Sequence, residues 1–526
     1  MRALLLFAAF ALAFAQPYDL LVRNGTVVDG TGRRAFRADV GIRGGRIALV
    51  GRAGNAAARK TFDARGLVVA PGFIDVHNHT ERAIALPERR FNEGFLRQGV
   101  TTVVGGADGS ASPSDMRRLV AAYEKNGVAT NVAFYVGHNA IRREVIGMDH
   151  RRATAAEIAR MRDLVREGME LGAAGLSTGL MYEPGMWADT EEVAELAKEV
   201  KPFGGIYDSH VRDPVKRFLE SDAECIEIGR RAGIPAKIAH EKAVGLENAG
   251  KIRDVIAMVE QARKAGHEVV TDQYPYDGAA TGTLEGILIA PPELRAQPDF
   301  NLKKALRDPA LRGRIREASE NGLDGGFAWL KATGYTAMRI TSSKDYPSLT
   351  GKYLSQIAEE RQLARFDALA ELYLASEHPV GVTLGAIKEE DVRLLMKQPW
   401  NMIASDGAWV DARAKPAGEH PRSTGTFPRV LGRYVREAKV LTLEDAVRKM
   451  TWLPASHLRL PGRGRLEPGF AADVTVFDPK TIRDLSTWEE PNRYSEGVVH
   501  VIVNGVPVLE GGALTGAAPG VFVKRR

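Results

Sequence analysis

Two histidines, His77 and His79, close the segment GFIDVHNHTE (residues 72–81) after an apolar run. In an extended chain residues i and i+2 point the same way, so both imidazoles can reach one point. A metal ion is the chemistry such a pair would serve, although most isolated His-x-His pairs are surface or core features. The rest of the chain supplies partners. Asp108 follows VTTVVGG (100–106), while His210, His240 and Asp406 end GIYDSH (205–210), PAKIAH (235–240) and WNMIASD (400–406). As independent core groups, four of the eleven histidines would need four separate hydrogen-bonding solutions; as one metal site they need one. Imidazole nitrogens and carboxylate oxygens are zinc's ligands where no thiolate is at hand, and catalytic zinc keeps a position open. Bound zinc lowers the pKa of a water to about 7 and polarises a carbonyl. Asp406, ending the last stretch, is the candidate to carry a proton from that water to a leaving nitrogen. HEKAV (240–244) lacks the second histidine of a zincin, and there is no Walker A motif or G-x-S-x-G elbow.

The elements that must bring these residues together are strands. Eight candidates run over 68–77, 100–106, 130–137, 173–178, 205–210, 235–240, 267–274 and 400–406. Most are near-continuous apolar runs, as parallel strands covered on both faces require. Amphipathic helices lie between most of them. The clearest is TAAEIARMRDLVREGMELG, with Ile158, Met161, Leu164, Val165 and Met169 on one stripe and a Thr154/Glu157 capping box. Strand–helix alternation repeated eight times predicts an α/β fold, a (β/α)8 TIM-like barrel over residues 70–454. In such a barrel the C-terminal strand ends surround one cavity, which is where all six polar residues fall. The spacing breaks once, between Tyr274 and Trp400, and an insertion over about 285–345 is expected to lid the site. Both chain ends are rich in short strands and Gly turns, so residues 16–69 and 455–526 are expected to form one small β-domain.

MRALLLFAAFALAFAQ reads as a secretory signal peptide of residues 1–15, cleaved after Ala15. Its apolar stretch, Ala3 to Phe14, is shorter than the roughly 20 residues a bilayer span needs. The expectation is an exported protein, periplasmic or extracellular, with no membrane span. The 72 basic residues are nearly matched by 66 acidic ones, and no basic block or aromatic–basic stripe points to nucleic acid. The single cysteine, Cys225, excludes an internal disulfide and sits in helical register with Phe218 and Ile228, as a buried core thiol would.

The ordered set GFIDVHNHTE, GVTTVVGG, GLSTGLMYEPG, SHVRDP, KIAHEK, DQYPYDG, ASDGAW and HPRSTGTFPRVLGRYVRE resembles the amidohydrolase superfamily, and within it the D-aminoacylase (N-acyl-D-amino-acid deacylase) group. The resemblance covers nearly the whole chain after residue 16, including RLEPGFAADVTVFDP and VIVNGVPV of the terminal β-domain. It implies a zinc-dependent hydrolase of the amide bond of N-acyl-D-amino acids, holding one or two zinc ions. The metal ligands it implies fall on His77, His79, His210 and His240, and the catalytic aspartate on Asp406. Tyr182, Lys242 and Arg422 fall where the family meets the substrate carboxylate, and an Arg fork, an ammonium and a phenol suit that task. Asp108 stands in GGADG where the family usually has a metal-ligating cysteine, so a harder oxygen ligand or a single metal is implied. Glu81 stands where aspartate is more frequent. His138 in GHNAIR is either a support of the pocket or structural; Tyr274 and Tyr276 either border the pocket or pack at the barrel mouth. Two other readings stay open: a cyclic amidase or dipeptidase of the same superfamily, and a non-catalytic binding protein on this fold.

Overall fold

A computed structural model describes residues 18–323, 328–412 and 420–525; the expected signal peptide lies outside them. Among the described residues no helix is long and apolar enough to cross a membrane.

Eight parallel strands form the ring: Phe73–Asp75, Val100–Gly105, Asn131–Phe134, Gly175–Gly179, Ile206–His210, Ala236–Ile238, Val269–Gln273 and Asn401–Ile403. The third continues past Tyr135 as Val136–Gly137, which pairs with the fourth. Asn78–His79 pairs in parallel with Gly407–Ala408 and closes the ring between first and last strands. Asp75 adds a clasp there, accepting from the Ser405 amide at 2.9 Å and from Asn78 Nδ2 at 2.9 Å. Every residue of the second strand is buried, as expected of a strand with the barrel core on one side and helices on the other. The helix Ala155–Leu171 shows why these sequences fold as they do. Thr154 Oγ1 accepts from the Glu157 amide at 3.3 Å while Glu157 accepts from the Thr154 amide at 2.8 Å. Met161, Leu164, Val165 and Met169 are buried, Ile158 half-buried.

The run 68–77, expected as one strand, is two. Val68–Pro71 joins the sheet of the β-domain, and the barrel strand starts only at Phe73. The pivot is Gly72, where a Cβ would lie 2.1 Å from Thr101 Oγ1. The two chain ends do meet in one nine-stranded sheet, whose seam is the antiparallel pairing of Val68–Pro71 with Val474–Phe477. The last residues leave it: the Val132 amide donates to Val521 O and the Arg525 amide to Gly172 O, so the tail seals the N-terminal end of the barrel.

The insertion is larger than the expected 285–345. A three-stranded antiparallel sheet places Gly381–Thr383 between Thr281–Thr283 and Arg339–Ser342. It carries its own apolar core, from Leu284 to Leu384. Helices Leu354–Arg361 and Arg365–Ala375 pack into that core; their amphipathic pattern alone does not distinguish them from helices of the barrel.

Candidate metal centre and its pocket

Residues of five barrel strands converge at the C-terminal face. The short turn Ala107–Gly109 after the second strand carries Asp108 inward. Gly106 has φ 76°, and a Cβ there would meet Tyr135 O at 2.2 Å, so only glycine permits this turn. Asp108 touches all four imidazoles: its oxygens lie 3.2 Å from His77 Nε2, 3.6 Å from His79 Nε2, 3.6 Å from His210 Nδ1 and 3.5 Å from His240 Nε2. Asp406 Oδ1 lies 3.2 Å from His79 Nε2 and 3.6 Å from His77 Nε2. Ligand atoms of His77, Asp108, His240 and Asp406 all lie within 4.8 Å of one another.

Three of these residues, Asp108 (φ 54°), His240 (φ 38°) and Asp406 (φ 49°), occupy the left-handed region. Such strain costs ~1–3 kcal/mol per residue and persists where the surroundings enforce it. Here they do: the His240 amide donates to Asp272 Oδ1 at 2.7 Å, and the Asp406 amide to His77 O at 3.0 Å.

The cluster fits a metal on its own chemistry. His77 Nε2, His210 Nδ1, His240 Nε2 and Asp108 Oδ1 are buried polar atoms without a hydrogen-bond partner, an expensive arrangement unless another group satisfies them. Donor atoms sharing a tetrahedral ion at zinc's ~2.1 Å bond lengths stand about 3.4 Å apart, close to the spacings found. The two carboxylates are held ionised, as ligands must be. Burial opposes ionisation of Asp108, but His77 and His210 outweigh it and hold the carboxyl well below its usual range. Burial opposes Asp406 too, and Arg422, then His240, hold it well below. Burial pulls His79 down, yet its bond to Asp406 and the charge of Asp108 carry it up to about 9. His240 goes the other way, pushed well below its ordinary value by burial and then by Lys242.

A cavity of about 140 Å³ opens from this cluster towards the insertion. Arg422 and Lys242 both border it, each near the Tyr274 ring. Arg422 Nη1 lies 2.7 Å from Asp406 Oδ2 and donates to Ala279 O at 3.0 Å, with the guanidinium 4.8 Å from the Tyr274 ring centre. Lys242 Nζ donates to His240 O at 2.6 Å and lies 2.8 Å from His240 Nδ1. Tyr182 borders the cavity with its ring 4.6 Å from that of His210. Tyr274 also borders it. Tyr276 does not: it donates to Pro421 O at 3.3 Å and packs on His420, whose Nδ1 accepts from the Arg422 amide at 3.1 Å. These two rings position Arg422. His138 is structural, its Nε2 3.0 Å from Glu192 Oε1, which also takes the Arg142 guanidinium at 2.8 Å. Cys225 is buried as expected, and Glu81 is buried beside Ser110.

One group of residues passed unnoticed in the sequence. Beneath the cluster Lys237 is buried between Asp208, at 2.8 Å, and Asp272, to which it donates a short hydrogen bond. A lone lysine inside the apolar run PAKIAH was the visible signal.

The amidohydrolase family profile matches residues 60–204 and 350–509. The chain is 36% identical to the D-aminoacylase of Alcaligenes xylosoxydans xylosoxydans, over 97% of this chain and 98% of the relative. It belongs to the amidohydrolase family. The crystal structure of an N-acyl-D-glutamate deacylase from Bordetella bronchiseptica, complexed with zinc and a phosphonate mimic of the tetrahedral intermediate, is 32% identical with a TM-score of 0.75. That match covers 97% of this chain and all of the other. A D-aminoacylase structure described for its binuclear metal centre matches at 33% identity, a TM-score of 0.75 and the same coverage. Within this amidohydrolase, Asp108, Arg422 and the insertion are thus parts of one cavity, although the sequence separates them by up to 314 positions.

Proposed function

We propose that this amidohydrolase is a zinc-dependent N-acyl-D-amino-acid deacylase, releasing a carboxylate and a free D-amino acid. The observation that carries the reading is the pairing of a partnerless donor cluster with two cations in one cavity. His77, His79, Asp108, His210 and His240 would hold one or two zinc ions. When bound, zinc supplies a polarised carbonyl and a water whose pKa is lowered to about 7. The chain's own residues do the rest. Arg422 and Lys242 bind the α-carboxylate and orient the amide, with Tyr182 beside them. Asp406, kept ionised by Arg422, accepts the proton of the attacking water and returns it to the leaving nitrogen. The same cavity is also lined by Val215, Val244, Trp329 and Leu384, which are apolar and suit a neutral amino-acid side chain. A neutral cyclic imide would leave both cations unused, which counts against the cyclic-amidase reading. A binding protein would have no use for Asp406.

The test is amine release by the zinc-loaded protein from paired N-acetyl-D- and N-acetyl-L-amino acids, with metal content determined on the same sample. Turnover of the D series alone is expected; turnover of the L series, or of neither with zinc bound, overturns the proposal. We also propose export by the N-terminal segment, which N-terminal sequencing of protein from the producing cell would check by a start at Gln16.

A further inference from the structure

A second cavity, of about 180 Å³, adjoins the first. Met181 and Pro214 border both. The helix Trp329–Thr333 of the insertion turns Trp329 and Thr333 towards the first, and its Ala332 with the preceding Ala328 towards the second. Resting on the deacylase reading, a bound substrate has a fixed direction. Its α-carboxylate is anchored by Lys242 and Arg422, which follow the sixth and eighth strands. The reacting carbonyl lies over the histidines, so the acyl group must leave on the far side, over the loops after the fourth and fifth strands. Met181 stands there, its Sδ 3.2 Å from His210 Nε2. The first atoms beyond an acetyl group would therefore meet Met181, and the space behind it is the second cavity.

We propose that this second cavity is an acyl subsite, and that the enzyme prefers long, unbranched aliphatic acyl groups to acetyl. Five of the nine residues around it, Met181, Met186, Pro214, Ala328 and Ala332, carry no charge, and methionine adapts readily to a flexible chain. Arg212, Asp213, Lys216 and Lys331 also border it, and the first two are engaged within the protein. Arg212 pairs with Glu224 at 2.9 Å, and Asp213 accepts from the Val215 and Lys216 amides at 3.0 and 2.8 Å. Neither calls for an ionic acyl group. Each methylene taken from water is worth ~0.8 kcal/mol, a ceiling of about fourfold in kcat/KM per carbon.

The experiment measures kcat/KM for N-acetyl-, N-butanoyl- and N-octanoyl-D-leucine with the zinc-loaded protein and with Ala332→Trp. Octanoate and acetate are compared as inhibitors of the N-acetyl reaction in the unmutated protein. Expected are a rise of at least tenfold from acetyl to octanoyl, tighter inhibition by octanoate than by acetate, and a fall of at least tenfold in the octanoyl-to-acetyl ratio in Ala332→Trp. Acetyl turnover with no rise along the series, or equal inhibition by the two acids, overturns the subsite while the deacylase reading stands. A rise that Ala332→Trp leaves untouched overturns the location assigned to it. No turnover of any member with zinc bound overturns the deacylase reading, and this inference with it.

Discussion

Three groups of buried acids lie close together in this barrel, and each is neutralised differently. Asp208 and Asp272, on the fifth and seventh strands, share an internal cation, Lys237. One layer higher, Asp108 and Asp406 face four imidazoles, several of whose nitrogens have no partner. Behind Lys242, Asp222 lies against Glu241 with no cation of its own, and burial pushes both carboxyls up, Glu241 to about 7. A lysine, a metal and a proton are the three ways of keeping such charge out of an apolar interior. Only the second leaves a position for substrate. The fully paired layer below does not: it holds His240 in its left-handed conformation through Asp272.

Each layer can be perturbed separately. Asp406→Asn is expected to lower kcat by about 10³-fold, within the range for loss of a general acid–base group, while metal analysis shows the ions retained; near-normal turnover would remove Asp406 as proton carrier. Lys237→Met leaves two buried carboxylates uncompensated and should destabilise the fold by ~3–5 kcal/mol, read as a lower denaturant midpoint. An unchanged midpoint would mean that a bound proton can replace the lysine in that layer. Chelation acts only on the upper layer. It should lower the melting temperature reversibly, by the equivalent of ~2.7 kcal/mol if free zinc had stood at 100 times its Kd, and a melting curve indifferent to chelator would argue against a metal there. The smallest effect belongs to the proton-sharing pair. Asp222 and Glu241 bind protons more tightly folded than unfolded, so stability should fall as pH rises from the ordinary carboxylate range through about 7. Asp222→Asn should flatten that slope in thermal melts; an equal slope in both proteins would show that the pair does not share a proton.

Much of the site could be read from the chain because its residues mark strand ends. His210 and His240 end short apolar runs, and the periodicity that predicts the strand also predicts where its polar end points. Asp406 follows such a run, and the parallel barrel sends all these ends to one face. At Asp108 the glycines of GGADG make the turn that brings the carboxylate among the imidazoles. The boundaries that failed are those without a local signal. Gly72 divides one apolar run between two sheets because of Thr101, a residue of another strand. Helices Leu354–Arg361 and Arg365–Ala375 belong to the insertion because of what they pack against, not because of their own pattern.

The sequence by itself determined the alternation of strands and helices, the strand-rich character of both chain ends, and the residue types capable of holding a metal. Those properties are local, set by periodicity, turn chemistry and side-chain type. The tertiary structure decided which atoms converge. It showed that Arg422 reaches Asp406 as well as the cavity, that His138 serves Glu192 rather than the pocket, and that Lys237 supplies the cation of the lower layer. These are pairings between residues far apart in the chain, and the barrel's closure, not any stretch of sequence, brings them within a few ångströms.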